Sequence, residues 1–325
     1  MSVRKYLSAS QRLISNFIDN PAVILLYHRV TDLTLDPQQL SVSPVNFNDQ
    51  IVFLKTRYVL LTIDEFKDII LHKRKIPKNS VIITFDDGYA DNFHEAMPIL
   101  ERANAQAIFY ITTSNLGTAY ELWWDELERI FLSEGDLPQT LVLHENDAIR
   151  SFKTSSSKER KQTYDALHPL VKNSTNEVRK QLLNEIISWS GLSPQGRETH
   201  RMLTPSELIS FSKSPSVVIG AHTLTHPKLS VCDRAVQQEE ITQSKIYLEK
   251  LLKKSITHFS YPFGGESDYN QSSLQICEGL GFDFVCANVY GQVHRWSNRF
   301  ALPRILVRDW PVEIFKDKMN RFFRF

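Results

Sequence analysis

The sequence is poor in cysteine. Cys232, Cys277 and Cys286 are the only three in 325 residues. They are too few and too scattered for a disulfide framework or a cysteine-based zinc site, and they fit a reducing compartment. Net charge is nearly absent, at +1, which removes the global case for a nucleic acid or another polyanionic partner. Long apolar runs are missing too. Arg4 and Lys5 are not followed by an apolar stretch of signal-peptide length, Ile24-Leu25-Leu26 is short, and no segment has the length and apolarity to span a bilayer. The expectation is a cytoplasmic protein. What is present is ordinary for a soluble domain, with 42% hydrophobic and 23% charged residues. The length suffices for one large core, or a core with an inserted subdomain.

Residues 4–18 space Tyr6, Leu7, Leu13, Ile14, Phe17 and Ile18 as one face of an amphipathic helix. Such a face packs on its own domain or lies on a membrane surface, and the basic and aromatic residues of 311–325 permit the same two readings. Ala22 to Tyr27 reads as a buried strand that delivers His28 and Arg29. The segment Val81-Ile82-Ile83-Thr84-Phe85 is a second such strand, ending in Asp86-Asp87-Gly88. Asn92 to Ala103 reads as the helix that follows, with Pro98 near a turn or kink, and Ala107 to Ile111 as a third strand. Continuous rather than alternating apolar strands, separated by helices, predict a parallel sheet covered on both faces or a closed α/β barrel.

Residues 118–202 break that rhythm. They are dense in charge and serine and read as a mostly helical insertion, with at best a short strand at Thr140 to His144. Its Trp123-Trp124 pair is suited to a sugar cleft or to the core. The regular pattern resumes at 203 with the capping box Thr204-Pro205-Ser206-Glu207. The strand Val217 to Gly220 then delivers His222 and His226, and Ile256 to Tyr261 delivers Pro262-Phe263-Gly264. The expected division is an N-terminal helix (1–20), two barrel segments (21–117 and 203–310) around the insertion (118–202), and a tail (311–325).

Adjacent strand-end carboxylates repel, and a bound cation or a shared proton relieves them; a polar turn capping a helix near Tyr89 is the alternative. His222 and His226, four apart after another strand, suit a single zinc-like ion. Either aspartate can supply the missing oxygen ligand, leaving an open position for water and a second carboxylate as a base.

Thr84-Phe85-Asp86-Asp87-Gly88, His222-Thr223-Leu224-Thr225-His226 and Ser260-Tyr261-Pro262-Phe263-Gly264 resemble the first three motifs of the polysaccharide deacetylase family, the NodB-homology group or carbohydrate esterase family four. The resemblance implies a distorted (β/α)7 barrel and metal-dependent hydrolysis of an acetamido group on a sugar. It implies Asp86 as general base, with Asp87, His222 and His226 as ligands of one divalent metal, zinc. The third motif, Tyr261-Pro262-Phe263, is implied for the oxyanion and substrate, with a backbone N–H at Phe263. A cytoplasmic enzyme of this kind would meet lipid- or nucleotide-linked N-acetylated sugars.

The chain departs from the family pattern at three places. The third motif usually opens with arginine, here Ser260, and the aspartate that pairs with that arginine has no counterpart around Phe282 to Arg295. Arg304 and Arg308 are the candidates to orient Asp86. The histidine of the fifth motif is missing as well, which leaves His28, His258 or a metal-bound water to protonate the leaving amine. These departures keep open a sugar-binding pseudoenzyme, a membrane-associated scaffolding factor, and an O-deacetylase using the same water attack.

Overall fold

The computed structural model describes residues 19–145 and 148–324, so the helix expected over 4–18 lies outside the described residues. Seven strands form the frame in parallel: β1 (Ala22–Tyr27), β5 (Ser80–Phe85), β6 (Ala107–Ile111), β9 (Val217–Ala221), β10 (His258–Ser260), β11 (Phe284–Cys286) and β12 (Ile305–Leu306). Between β1 and β5 come three two-residue strands, β2 (Arg29–Val30), β3 (Ser41–Val42) and β4 (Val59–Leu60). The sheet order is β11-β10-β9-β6-β5-β1-β12, with β4 paired beside β5. Chain order therefore runs around the sheet, and the outer strands meet again: residues 299–304 bond along β11 through Val285 N to Arg299 O (2.7 Å), Leu302 N to Val285 O (2.9 Å) and Ala287 N to Leu302 O (2.8 Å) before continuing into β12. This is the distorted α/β barrel that the family resemblance implies, one of the two arrangements the strand–helix rhythm allows.

Strands buried on both faces need apolar residues at every position, and β1, β5 and β6 have no exposed residue. Alternate side chains enter different cores. Val81, Ile83 and Phe85 join the large cluster beneath the surrounding helices. Ile82 points the other way, into a smaller cluster with Ile24, Ile108, Tyr110, Phe284 and Cys286, closed by Phe66, Ile69 and Ile70 of the helix Ile63–His72. Continuing that alternation, Thr84 and Asp86 face the same interior as Ile82.

The expected helix over Asn92 to Ala103 is split into a π-turn (Asn92–Ala96) and a short α-helix (Met97–Arg102). Pro98 sits in the first turn of the second piece, where its missing N–H costs little. The connection from β6 to β9 contains the helix Trp123–Leu132, an antiparallel hairpin of β7 (Thr140–Glu145) and β8 (Ala148–Lys153), and the helices Ser157–Lys172, Asn176–Ser190 and Pro205–Phe211. The short strand read at Thr140 is thus half of a hairpin. The helix Val312–Arg324 buries Phe315, Met319 and Phe322 within the protein's own large core, so that apolar face is already occupied.

Candidate active site

The functional side chains gather at the C-terminal ends of β1, β5, β9 and β10, around a cavity of about 360 Å³ lined by His28, Asp86, Asp87, Trp124, His222, His226 and Phe263 among others. In parallel α/β sheets that end of the strands is where loops converge and ligands bind. Asp87 takes a left-handed backbone (φ 79°), followed by Gly88 at φ 92°. A Cβ on Gly88 would lie 3.1 Å from Ile111 Cδ1 in an unfavourable backbone region, which explains the glycine. This turn lets two consecutive carboxylates serve one cavity.

Asp87 Oδ1 lies 3.5 Å from His222 Nε2 and 3.3 Å from His226 Nε2. The three groups are buried and close enough to share one ion. His222 Nδ1 bonds the Ser260 carbonyl oxygen at 2.7 Å; donating there, it leaves Nε2 as a lone pair facing Asp87. Burial pushes the His226 imidazole down to about 4 despite Asp87, which favours the neutral ring able to ligate. Burial alone would raise the Asp87 carboxyl, but the two histidines beside it outweigh that and hold it well below the usual range. Asp87 Oδ1 is buried with no hydrogen-bond partner that meets normal geometry. An unpaired carboxylate oxygen facing two imidazole nitrogens is the donor set a divalent cation requires, and these residues fit one.

Asp86 is held differently. Arg304 Nη1 donates to Asp86 Oδ1 at 2.7 Å and Nη2 to Oδ2 at 2.6 Å, a bidentate pair with both side chains buried. Arg304 also bonds Ser260 Oγ (2.6 Å), Thr84 Oγ1 (3.2 Å) and the Ala287 carbonyl (2.9 Å). Burial would raise the Asp86 carboxyl, but the Arg304 guanidinium outweighs it and holds the group below its ordinary value. The arginine absent from the third motif is thus supplied by the segment entering β12, and Ser260 leaves room for it. Arg308, the other candidate, instead bonds the Gln38 and Gln39 carbonyls at the cavity wall.

His28 lines the cavity with Nδ1 unpartnered. Burial lowers its pKa, opposed by Asp87 and Asp86. Phe263 lines the cavity in a left-handed backbone (φ 60°), its ring 4.6 Å from that of His226. Tyr261 points elsewhere: its hydroxyl donates to Phe300 O at 3.0 Å and its ring stacks on Tyr269. Pro262 is not among the lining residues. His258 begins β10, at the end of the strand remote from the cavity, and packs on Phe284.

The connection from β6 to β9 contributes residues that sequence reasoning passed over, His168 and Lys172. Lys172 lies over the Phe263 ring and pairs with Asp268 at 3.1 Å. Of the tryptophans, Trp124 faces the cavity, with its indole N–H on Tyr89 Oη (2.8 Å). A second acid-and-histidine group, Asp125, Glu128 and His200, lies below this wall. It is crossed by Arg197, which donates to Glu128 at 2.9 Å.

The polysaccharide deacetylase family model matches residues 73–285, the span holding both aspartates, both histidines and the third motif. The chain belongs to the polysaccharide deacetylase family. Among curated members, it is 23% identical to a poly-β-1,6-N-acetyl-D-glucosamine N-deacetylase of Staphylococcus aureus, over 90% of this chain and 80% of that one. Among solved structures of this fold, IcaB from Ammonifex degensii superimposes with a TM-score of 0.60 at 17% identity, covering 93% of this chain and 96% of the other. The Streptococcus pyogenes deacetylase PplD, solved with acetate, gives 0.59 at 20% identity, covering 93% and 99%.

Proposed function

We propose that this polysaccharide deacetylase is a zinc-dependent de-N-acetylase that hydrolyses the acetamido group of an N-acetylated amino sugar, in a glycan or glycan precursor, to amine and acetate. The observation that carries the reading is the separation of the two aspartates: Asp87 faces the Nε2 atoms of two imidazoles, while Asp86 beside it is locked by Arg304. Binding alone requires no oriented, ionised carboxylate, so this geometry favours an enzyme over a sugar-binding relative without activity.

In this reading Asp87, His222 and His226 hold the cation, which when bound supplies a Lewis acid that polarises the acetyl carbonyl and acidifies water. Asp86, ionised and aimed by Arg304, takes the proton from the attacking water. The Phe263 backbone N–H donates to the oxyanion. His28, an imidazole lining the cavity just after β1, passes to the departing amine the proton that Asp86 takes from water. Residues 21–117 and 203–310 form the catalytic barrel, and residues 118–202 an insertion that walls one side of the cavity. No described helix is long and apolar enough to cross a membrane. The name of the staphylococcal relative makes β-1,6-linked N-acetylglucosamine oligomers the first substrate to try.

The test is acetate release from those oligomers with added Zn2+. Asp86→Asn is expected to keep the metal and lose about 10²–10⁴-fold in rate, the usual contribution of a positioned base. Acetate release by Asp86→Asn at the wild-type rate would falsify the assignment.

A further inference from the structure

The two metal-facing histidines are oriented by different means. His222 is fixed through its own Nδ1 on Ser260 O, whereas His226 Nδ1 is buried without a partner. Metal-binding histidines ordinarily use that second nitrogen to set the ring. The placement of His226 therefore falls to the packing of its ring against Trp124 and Phe263, each at 4.6 Å, and to its backbone.

Within the loop His226 N–H donates to Thr223 Oγ1 at 3.2 Å, and the rest of its support comes from outside. Thr223 (φ 66°) and His226 (φ 54°) are both left-handed, a conformation costing about 1 kcal/mol or more for an L-residue with a Cβ. Two buried side chains grip the loop from opposite sides. Glu240 Oε2 accepts from the N–H groups of Leu224 and Thr225, both at 2.9 Å, and its Oε1 accepts from Thr225 Oγ1 at 2.7 Å. Arg179 takes the carbonyl side: Nη1 donates to His226 O (3.1 Å), and Nη2 to Thr225 O (2.8 Å) and Thr225 Oγ1 (2.9 Å). Asn176 joins the two, accepting from Arg179 at 3.0 Å and donating to Glu240 at 2.7 Å. Glu240 lies on the helix Arg234–Leu252 behind β9, but Arg179 and Asn176 lie on the first turn of Asn176–Ser190, in the connection outside the barrel frame. Arg179 is 5% exposed, and its donors go to this loop and to Asn176.

We infer that Arg179 is a positioning residue of the metal centre: through it the β6–β9 connection sets the cation affinity of His226, beyond forming a wall of the substrate cavity. The inference rests on the metal-site reading above.

The experiment is Zn2+ binding by competition with a chromophoric chelator on the full chain, together with the visible spectrum of the Co2+-loaded protein. Arg179→Ala is expected to bind Zn2+ about 10- to 100-fold more weakly, the usual cost of losing a residue that orients a ligand, and to shift the Co2+ bands. Arg179→Lys, which keeps one cationic donor in place and is the deciding variant if Arg179→Ala does not fold, should fall between the two. Lys180→Ala, an exposed neighbour on the same helix, should match wild type. A wild type that binds one Zn2+ and Arg179 variants that bind it within about two-fold, with unchanged Co2+ spectra, would overturn the inference and leave the metal site standing. A wild type that binds no Zn2+ removes the metal site and this inference with it.

Discussion

Arg304→Met tests how the base is oriented. The side chain is fully buried, and it bonds both oxygens of Asp86 at 2.7 and 2.6 Å as well as Ser260 Oγ, Thr84 Oγ1 and Ala287 O. Methionine fills much of the volume but leaves Asp86 buried without its counter-charge. Breaking a buried pair by removing one partner costs about 3–5 kcal/mol, far more than an exposed pair would. The sign of the pH effect follows from the same contact. In wild type the folded Asp86 carboxyl lies below its unfolded value, so its contribution to stability is present above the ordinary carboxylate range and is lost as pH falls through the lower folded value. Without Arg304 burial dominates and the carboxyl rises, so the acid limb of the kcat/KM profile should move to higher pH. Urea unfolding at neutral pH and acetate release between about pH 4 and 8, the window in which a raised carboxyl titrates, measure the two effects. Placing the guanidinium at the family position, Ser260→Arg with Arg304→Ser, should recover part of the activity. An Arg304→Met protein within about 1 kcal/mol of wild type, with its acid limb unmoved, would refute the orienting role.

Two other predictions concern histidines. His28→Gln keeps a polar side chain in the cavity but cannot serve as an acid at neutral pH, so kcat should fall about 10²-fold with little change in KM; an unchanged kcat assigns the proton to another group. His258, outside the active site, is held by burial at about 4. Its folded value is below the unfolded one of about 6.5, so the neutral form's stabilisation is complete above that pH and is lost as pH falls toward 4. Between pH 7 and 5 wild type should lose about 2 kcal/mol more than His258→Leu in urea titrations, and parallel losses would show that another group titrates.

The strands and the ion-facing residues were legible because each leaves a local mark. Val81 to Phe85 is an unbroken apolar run, and the Asp86-Asp87-Gly88 turn and the His222/His226 spacing each lie within one short segment. Arg304 left none. Between Pro303 and Ile305 nothing in the sequence says that its guanidinium enters the barrel beside Asp86, because that depends on β12 pairing with β1 and on Ser260 being small. Arg179 was hidden for the same reason, lying on a helix whose amphipathic pattern explains only its packing face. Only the first strand of the hairpin at Thr140–Lys153 was legible, because its flanks are helical and the second strand carries Arg150 and Lys153. Tyr261 was grouped with the cavity by its neighbour Phe263, although the left-handed turn at Phe263 separates them. Spatial position, rather than motif position, is what the reaction needs of the orienting arginine.

Because Arg304 sits in the segment that closes the ring of strands, the order of synthesis matters. Domains tend to fold from the N-terminus as the ribosome extends them. A nascent chain with β1 to β11 complete has both aspartates and both histidines, yet Asp86 lacks its guanidinium partner and keeps only Ser260 Oγ at 3.3 Å. In the proposed mechanism the orientation of Asp86 is then complete only when the segment entering β12 emerges.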